Sequence, residues 1–164
     1  LQSGVDALAV ACIEEAVELR AAGINTPILL LEGIFAAAEL QTASHLDLWL
    51  TIENERQLRW LEDASLPAPV TCWLKVDTGM HRLGVAPDRA LHYHQRLVAS
   101  HNTVDAVVLY THFAAADDTT SQQTQAQLAV FNALPCSSLE ADMPVLAARL
   151  AFCLIAACSG AHVT

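Results

Sequence analysis

The residues of this sequence that could do chemistry concentrate in one segment, WLKVDTGMHRLGV, at residues 73–85. Lys75, the only lysine among the 164 residues, stands in an apolar run, and Arg82 follows it seven residues later. Strand alternation puts Trp73, Lys75 and Asp77 on one face. A charged lysine on a buried face near an arginine is unfavourable through desolvation and like-charge repulsion, and both effects favour the neutral amine. Lys75 is therefore either a functional amine or a lysine that reaches solvent at the strand end.

The triplet Asp77-Thr78-Gly79 in this segment is also the active-site signature of aspartic proteases. Such an enzyme needs two of these aspartates, which share a proton. This sequence holds one Asp-Thr-Gly, and its apolar runs alternate with helical segments, whereas those proteases are built almost wholly from strands. We therefore reject the protease interpretation. We expect Asp77 and Thr78 to fix the loop through hydrogen bonds to backbone groups, with Gly79 and Gly84 supplying permissive backbone.

Composition and charge narrow the function classes. Hydrophobic residues make up 54% of the chain, charged residues 16%, and the mean hydropathy is +0.36, which excludes disorder. Eighteen acidic side chains against eight basic ones give a formal charge of −10, so we expect neither nucleic acid nor a membrane as a partner. Five scattered cysteines without a C-x-x-C pair predict reduced thiols in a cytoplasmic protein and no metal site. No secretory signal pattern is present.

Short apolar runs alternate with helical segments along residues 1–134. The predicted strands lie at residues 7–11, 27–33, 48–52, 69–76 and 104–113. The predicted helices lie at residues 14–23, 35–44, 53–64, 87–100 and 121–134, and Asn54 is placed to cap the third. Five apolar strands separated by helices predict a parallel sheet, which both an open doubly wound sheet and a barrel would satisfy.

Residues 135–164 break this rhythm. The apolar stretch at residues 143–158 is too short to span a bilayer comfortably, and it contains Arg149. We expect a helix there that is buried or covered by a partner. The predicted division is thus a βα domain over residues 1–134 and an atypical apolar tail over residues 135–164.

Taken whole, WLKVDTGMHRLG, followed by LYTHFAAADD at residues 109–118, resembles the alanine racemase family. The segments at residues 5–24, 27–33 and 124–134 share the resemblance. It implies a pyridoxal 5′-phosphate enzyme of the barrel type that interconverts L- and D-alanine, supplying D-alanine for peptidoglycan or catabolising it, and that is a homodimer when intact. The implied fold is a partial TIM-like (β/α)8 barrel, about strands 2–6 of 8 with their helices, plus an atypical helical tail.

The resemblance also implies roles for four residues. Arg82 corresponds to the arginine that reaches the cofactor's phenolic oxygen and the substrate carboxylate. A guanidinium group suits this task, because it is permanently charged and can donate to two acceptors at once. His112 corresponds to the histidine that flanks the pyridine ring. Lys75 corresponds to a lysine that takes up carbon dioxide as a carbamate and supports Arg82. Leu31, with Leu29 on the same strand face, is expected to line the apolar wall beside the cofactor, although ordinary core is an equally good interpretation.

Some features of the family find no match in this sequence. The Schiff-base lysine of the family belongs to the first barrel strand, and Lys75 does not correspond to it. The tyrosine base on the opposite face comes from a C-terminal domain, a context that neither Tyr93 nor Tyr110 shares. Ser137 and Ser138 are weak candidates for binding the cofactor's phosphate. We therefore expect a racemase fragment that is inactive alone; the alternatives are a non-catalytic pyridoxal-phosphate barrel and a pseudoenzyme or interaction module.

Overall fold

The computed structural model of the protein describes residues 5–118 and 120–135. Within these residues five strands alternate with five α-helices. The strands are β1 (Leu8–Val10), β2 (Ile28–Leu30), β3 (Leu48–Ile52), β4 (Val70–Lys75) and β5 (Thr103–Tyr110). The helices are α1 (Ile13–Ala21), α2 (Glu39–His45), α3 (Glu55–Asp63), α4 (Ala90–Ala99) and α5 (Gln123–Asn132), and a 3₁₀ turn (Pro87–Arg89) precedes α4.

The order of the strands decides between the two architectures that the sequence allows. All five strands are parallel and lie in the order β1-β2-β3-β4-β5, each beside its neighbour in the chain. A doubly wound sheet reverses its strand order at a switch point, and no reversal occurs here. A barrel winds in one direction, strand after strand. The partial (β/α)8 barrel is therefore confirmed, and the open doubly wound sheet is excluded for the described strands.

The two faces of the sheet carry two separate apolar clusters. The larger cluster lies between the sheet and its helices and includes Leu30, Leu50 and Leu74, all fully buried. The smaller cluster lies on the opposite face, which in a barrel is the interior. It consists of Leu29, Trp73, Val108 and Tyr110, with Leu31 and Trp49 packed against it. The predicted alternation around Lys75 is thus confirmed, since Trp73 and Leu74 belong to different clusters.

Local signals placed most element boundaries within a few residues. Asn54 caps α3 as predicted, since its side-chain oxygen accepts a hydrogen bond of 3.0 Å from the N–H of Gln57. The helix expected from residue 35 begins only at Glu39, because residues 35–38 form turns instead. There the Glu39 carboxylate accepts a hydrogen bond of 2.9 Å from the N–H of Phe35. Alanines favour a helix but do not by themselves start one.

Three other expectations concern membrane-spanning helices, metal sites and cysteines. Among residues 5–118 and 120–135, no helix is long and apolar enough to cross a membrane. The same residues hold no cluster of metal-binding side chains, and the two cysteines among them, Cys12 and Cys72, are free thiols. The predicted helix at residues 143–158 and the candidate phosphate ligands Ser137 and Ser138 lie outside the described residues.

Candidate active site

The loop after β4 is organised by one carboxylate. Asp77 Oδ1 accepts hydrogen bonds from the backbone N–H groups of Gly79, Met80 and His81, at 3.0, 3.0 and 2.9 Å. Burial raises the pKa of Asp77, but the hydrogen bonds outweigh it and leave the pKa below its ordinary value. This confirms the expectation that the aspartate of the Asp-Thr-Gly triplet fixes the loop. A carboxylate engaged by three N–H groups is a poor proton carrier near neutral pH.

The same loop is closed behind Arg82 by backbone pairing. The N–H of Asp77 donates to the carbonyl of Val85, and the N–H of Val85 donates to the carbonyl of Lys75, both at 2.9 Å. Gly84 makes the closure possible, because its φ is +123° and an added Cβ would lie 2.8 Å from the Asp77 backbone nitrogen. The closure brings Arg82 back toward the end of β4. Its side chain is exposed there.

Lys75 lies at the carboxyl end of β4 on the interior face. Its side chain is 6% exposed, so the lysine does not reach solvent. Its Nζ lies 5.9 Å from the centre of the Tyr110 ring, on the neighbouring strand. Burial is the main cause of a pKa below the ordinary lysine value; the Glu53 carboxylate opposes this shift, and the positive charge of Arg82 adds to it.

Glu53 is a residue of the site that sequence analysis did not identify. The predicted helix at residues 53–64 begins with it, so no role in the site was expected. It follows β3 directly and is 8% exposed, and its Oε2 is buried without a hydrogen-bond partner among the described residues. Burial raises the pKa of Glu53, while the positive charges of Lys75 and Arg82 pull it down. One signal could have identified Glu53. Thr51 faces the barrel interior, and side chains alternate along a strand, so the residue two positions later faces the interior as well.

An aromatic wall lies below these charged groups. The rings of Trp49 and Trp73 stack with centres 5.6 Å apart, and Tyr110 meets Trp73 edge-on at 5.8 Å. The Tyr110 hydroxyl lies 2.9 Å from Thr51 Oγ1 and donates to the carbonyl of Leu31 at 3.3 Å. Leu31 is half-buried at the edge of this wall, on the interior face where it was expected.

His112 lies two residues beyond the end of β5 and is half-buried. Burial lowers the pKa of His112, and the positive charges of Arg82 and Lys75 lower it further. Each of these effects favours the neutral imidazole. The structure thus brings Lys75, Arg82 and His112, which lie on two segments of the chain, to the same end of the barrel.

Gln127 connects these segments, and sequence analysis did not single it out within its glutamine-rich helix. Its side chain is 1% exposed. Its Nε2 donates to the carbonyl of His112 at 2.9 Å and to Thr78 Oγ1 at 3.3 Å, and its Oε1 accepts from the N–H of Ala114 at 2.9 Å. Thr78 Oγ1 lies 2.8 Å from Thr111 Oγ1. One helix thereby holds both the loop after β4 and the end of β5.

Comparison with known proteins identifies the family of this site. The family model for the alanine racemase N-terminal domain matches residues 1–149. The chain belongs to the alanine racemase family. The members of that family are enzymes, isomerases of an amino acid. The match to the family model covers every residue of the site described above.

Several members of the family resemble the chain closely over a limited stretch. The alanine racemase of Pseudomonas entomophila is 50% identical over 133 residues, which are 81% of this chain and 37% of that protein. The catabolic alanine racemase of Pseudomonas putida is 49% identical over 133 residues, and the biosynthetic one of Escherichia coli K12 is 50% identical over 127 residues. The chain spans about a third of the length of these relatives.

Solved structures agree with the fold. The biosynthetic alanine racemase of Pseudomonas aeruginosa superposes with a TM-score of 0.76 at 41% identity, over 80% of this chain and 37% of that one. An alanine racemase of Clostridium difficile in complex with cycloserine gives 0.75 at 26% identity, over 85% of this chain and 39% of that one. The partial racemase barrel is therefore the fold of the described residues.

The described residues fit one side of a pyridoxal 5′-phosphate site. The apolar interior wall offers a surface for a flat ring, and the Arg82 guanidinium has no hydrogen-bond or ion-pair partner among residues 5–118 and 120–135. Lys75, the only lysine of the chain, is buried, and its Nζ lies 5.9 Å from the centre of the Tyr110 ring of this wall. This part of the barrel could thus hold the ring and the phenolic oxygen. It supplies no second lysine for the covalent link.

Proposed function

We propose that this chain is the central part of the cofactor barrel of an alanine racemase, which interconverts L- and D-alanine with pyridoxal 5′-phosphate. One observation carries the proposal. Lys75, Arg82 and His112 converge at the carboxyl ends of two neighbouring strands, above an apolar wall. This is the end of a parallel barrel at which active sites lie.

The cofactor, when bound, supplies the electron sink that makes the α-hydrogen of alanine acidic. In our proposal the residues of this chain orient it and the substrate. Arg82 binds the cofactor's phenolic oxygen and the substrate carboxylate, because a guanidinium can donate to two anionic acceptors at once. His112, whose burial favours the neutral imidazole, packs against the ring, and Leu31 completes the apolar wall. The wall excludes water and strengthens each of these charged contacts.

Lys75 is proposed to act through Arg82 as a positioning residue. Two cations side by side repel each other, so the pair needs a negative group between them. That group is either a carbamate, formed by carbon dioxide on the Lys75 amine, or a carboxylate supplied by the protein.

Racemisation needs one base on each face of the α-carbon. We propose that both bases, and the homodimer typical of the intact family, require parts of the racemase other than the described residues. The 164-residue chain by itself is therefore expected to racemise alanine no faster than free cofactor does. D-alanine formation by the purified chain above that rate would contradict this part of the proposal.

The direct test places the chain in a complete enzyme. In this hybrid racemase, the stretch of the P. entomophila enzyme that matches the chain is replaced by the corresponding residues of the chain. We expect the hybrid racemase to bind cofactor and to interconvert the alanine enantiomers. Arg82→Lys should lower kcat/KM about 10- to 100-fold by loosening a two-point contact. Arg89→Lys, at an exposed arginine beside α4, is the matched control and should be neutral.

The outcomes separate the alternatives. A hybrid racemase that binds cofactor but has no activity would favour a non-catalytic barrel. One that folds and binds none would favour an interaction module. Either result contradicts the proposed function.

A further inference from the structure

Gln57 is a buried polar side chain that the roles proposed above leave unused. It lies in the first turn of α3 and is 2% exposed. Its Nε2 donates to the carbonyls of Glu32 and Ile34, at 2.8 and 3.2 Å, and its Oε1 accepts from the N–H of Glu53 at 3.0 Å. One amide thus joins the loop after β2 (residues 31–34, called the β2 loop below) to the residue that follows β3.

The β2 loop packs on this amide without room for another side chain. Gly33 has φ +70°, and an added Cβ would overlap the Thr51 carbonyl oxygen and lie 2.8 Å from Gln57 Nε2. The two carbonyls that Gln57 binds flank this glycine. Since a buried carbonyl without a donor is costly, the course of the loop depends on the amide.

The same loop begins with a residue of the proposed site. Leu31 packs against the interior aromatic wall, and its carbonyl accepts from the Tyr110 hydroxyl at 3.3 Å. Its N–H donates to the carbonyl of Val10 at 2.9 Å. These two bonds hold the start of the β2 loop, and Gln57 holds the residues that come directly after it.

We propose that Gln57 is a positioning residue of the racemase site: its amide fixes the β2 loop, and through the loop it fixes Leu31 against the cofactor ring. This inference rests on the proposed function and adds a residue to that site. Gln57 acts through the loop, because its amide nitrogen already donates to two backbone carbonyls. Gln127 joins the loop after β4 to the end of β5 in the same way, so two buried glutamines brace this end of the barrel.

The first test removes the hydrogen bonds of Gln57 and keeps its volume. In the hybrid racemase, Gln57→Met should raise the cofactor dissociation constant on the order of 10-fold, because the wall loses its fixed position. The constant is measured by absorbance titration under conditions where circular dichroism shows every variant folded. Gln125→Met makes the same change at an exposed glutamine of α5 and should keep the parent value.

Gln57→Glu separates hydrogen bonding from packing. Its carboxylate keeps an acceptor for the Glu53 N–H but turns an oxygen toward the Glu32 and Ile34 carbonyls, which can only accept. A protonated carboxyl group, in contrast, donates to one of them. Relative to the parent titrated in parallel, we expect cofactor binding by Gln57→Glu to be nearer the parent at about pH 6 than at about pH 9, where the carboxyl group is ionised. Gln57→Met should show the same deficit at both.

A second measurement needs no cofactor. The Glu53 N–H donates to Gln57 Oε1, so its hydrogen exchange in the 164-residue chain, followed by NMR, reports directly on the amide. Exchange at this N–H should be faster in Gln57→Met than in the parent. Gln57→Glu keeps the acceptor and should retain the protection, as should Gln125→Met.

A Gln57→Met hybrid that binds cofactor as tightly as the parent would refute the proposal. Equal deficits in the Met and Glu variants at both pH values would refute it as well, because hydrogen bonding would then be irrelevant. A parent hybrid that binds no cofactor is a different failure. It rejects the proposed function, while hydrogen exchange in the chain still shows whether Gln57 holds the end of β3.

Discussion

Replacing Gln127 by methionine should loosen the end of the barrel that carries His112. Methionine is close to glutamine in size, so packing is retained while the hydrogen bonds to the His112 carbonyl, the Thr78 hydroxyl and the Ala114 N–H are lost. Gln127 is 1% exposed, whereas His112 is half-buried and Ala114 is exposed, so water can replace part of these bonds. Each buried polar group left without a partner costs about 1–3 kcal/mol. Two such backbone groups would cost about 2–6 kcal/mol, and because water reaches the Ala114 N–H we expect the lower part of that range, about 2–4 kcal/mol, in the free energy of unfolding.

Urea-induced unfolding of the hybrid racemase measures this loss, with Gln125→Met as the control. Gln125 is exposed on the same helix, and its replacement should stay within about 0.5 kcal/mol of the parent. Gln127→Glu is a second probe, because its carboxylate keeps an acceptor for the Ala114 N–H but turns an oxygen toward the His112 carbonyl, which can only accept. It should destabilise the barrel at neutral pH as well.

The functional consequence is measured separately, as cofactor affinity by absorbance titration. Since Gln127 holds the backbone of His112, both Gln127 variants should weaken cofactor binding, while Gln125→Met should not. Unfolding free energies for Gln127→Met and Gln125→Met that agree within about 0.5 kcal/mol would refute the reasoning, since they would mean that these hydrogen bonds add nothing.

Three further predictions concern local structure in the hybrid racemase. Gly84→Ala should cost about 3 kcal/mol or more in urea unfolding, since a strained φ alone costs about 1–3 kcal/mol and the added Cβ also meets backbone. Asn54→Ala should cost about 1 kcal/mol by the same measurement, through the lost cap of α3. Asp77 has a lowered pKa, so its contribution to stability is present above the unfolded-state value and is lost as pH falls through the folded-state value. Unfolding at pH 7 and in acid should show that dependence in the parent and a weaker one in Asp77→Asn.

Each of these predictions has its own control. Gly23 has φ +80° but open space around it, so Gly23→Ala should lose less than Gly84→Ala; equal losses would mean that the backbone contact is unimportant. Asn25→Ala, at an exposed asparagine outside the helices, should be neutral, and an equal loss there would remove the argument for the cap. An Asp77→Asn enzyme with the parent's acid sensitivity would show that another group controls it.

Local physics made much of the fold predictable. Apolar runs of strand length and a capping asparagine depend only on neighbours in the chain, so the strands and the start of α3 could be located from the sequence. Period-two alternation likewise placed Lys75 on the interior face with Trp73. The Asp-Thr-Gly turn was predictable for the same reason, because Asp77 bonds to N–H groups only two to four residues away.

The sequence by itself determined the family, through the long motif around Lys75 and Arg82, and with it the expected barrel. Only the tertiary structure excluded the doubly wound sheet, because strand order is a property of the assembled sheet. It alone brought Glu53, which follows β3, to the end of the barrel that carries Lys75, and joined Gln127 to the His112 carbonyl. These pairs of residues are 22 and 15 positions apart in the chain, and their placement depends on register and burial. The charge state of Lys75 is decided there as well, since burial and neighbouring charges set it.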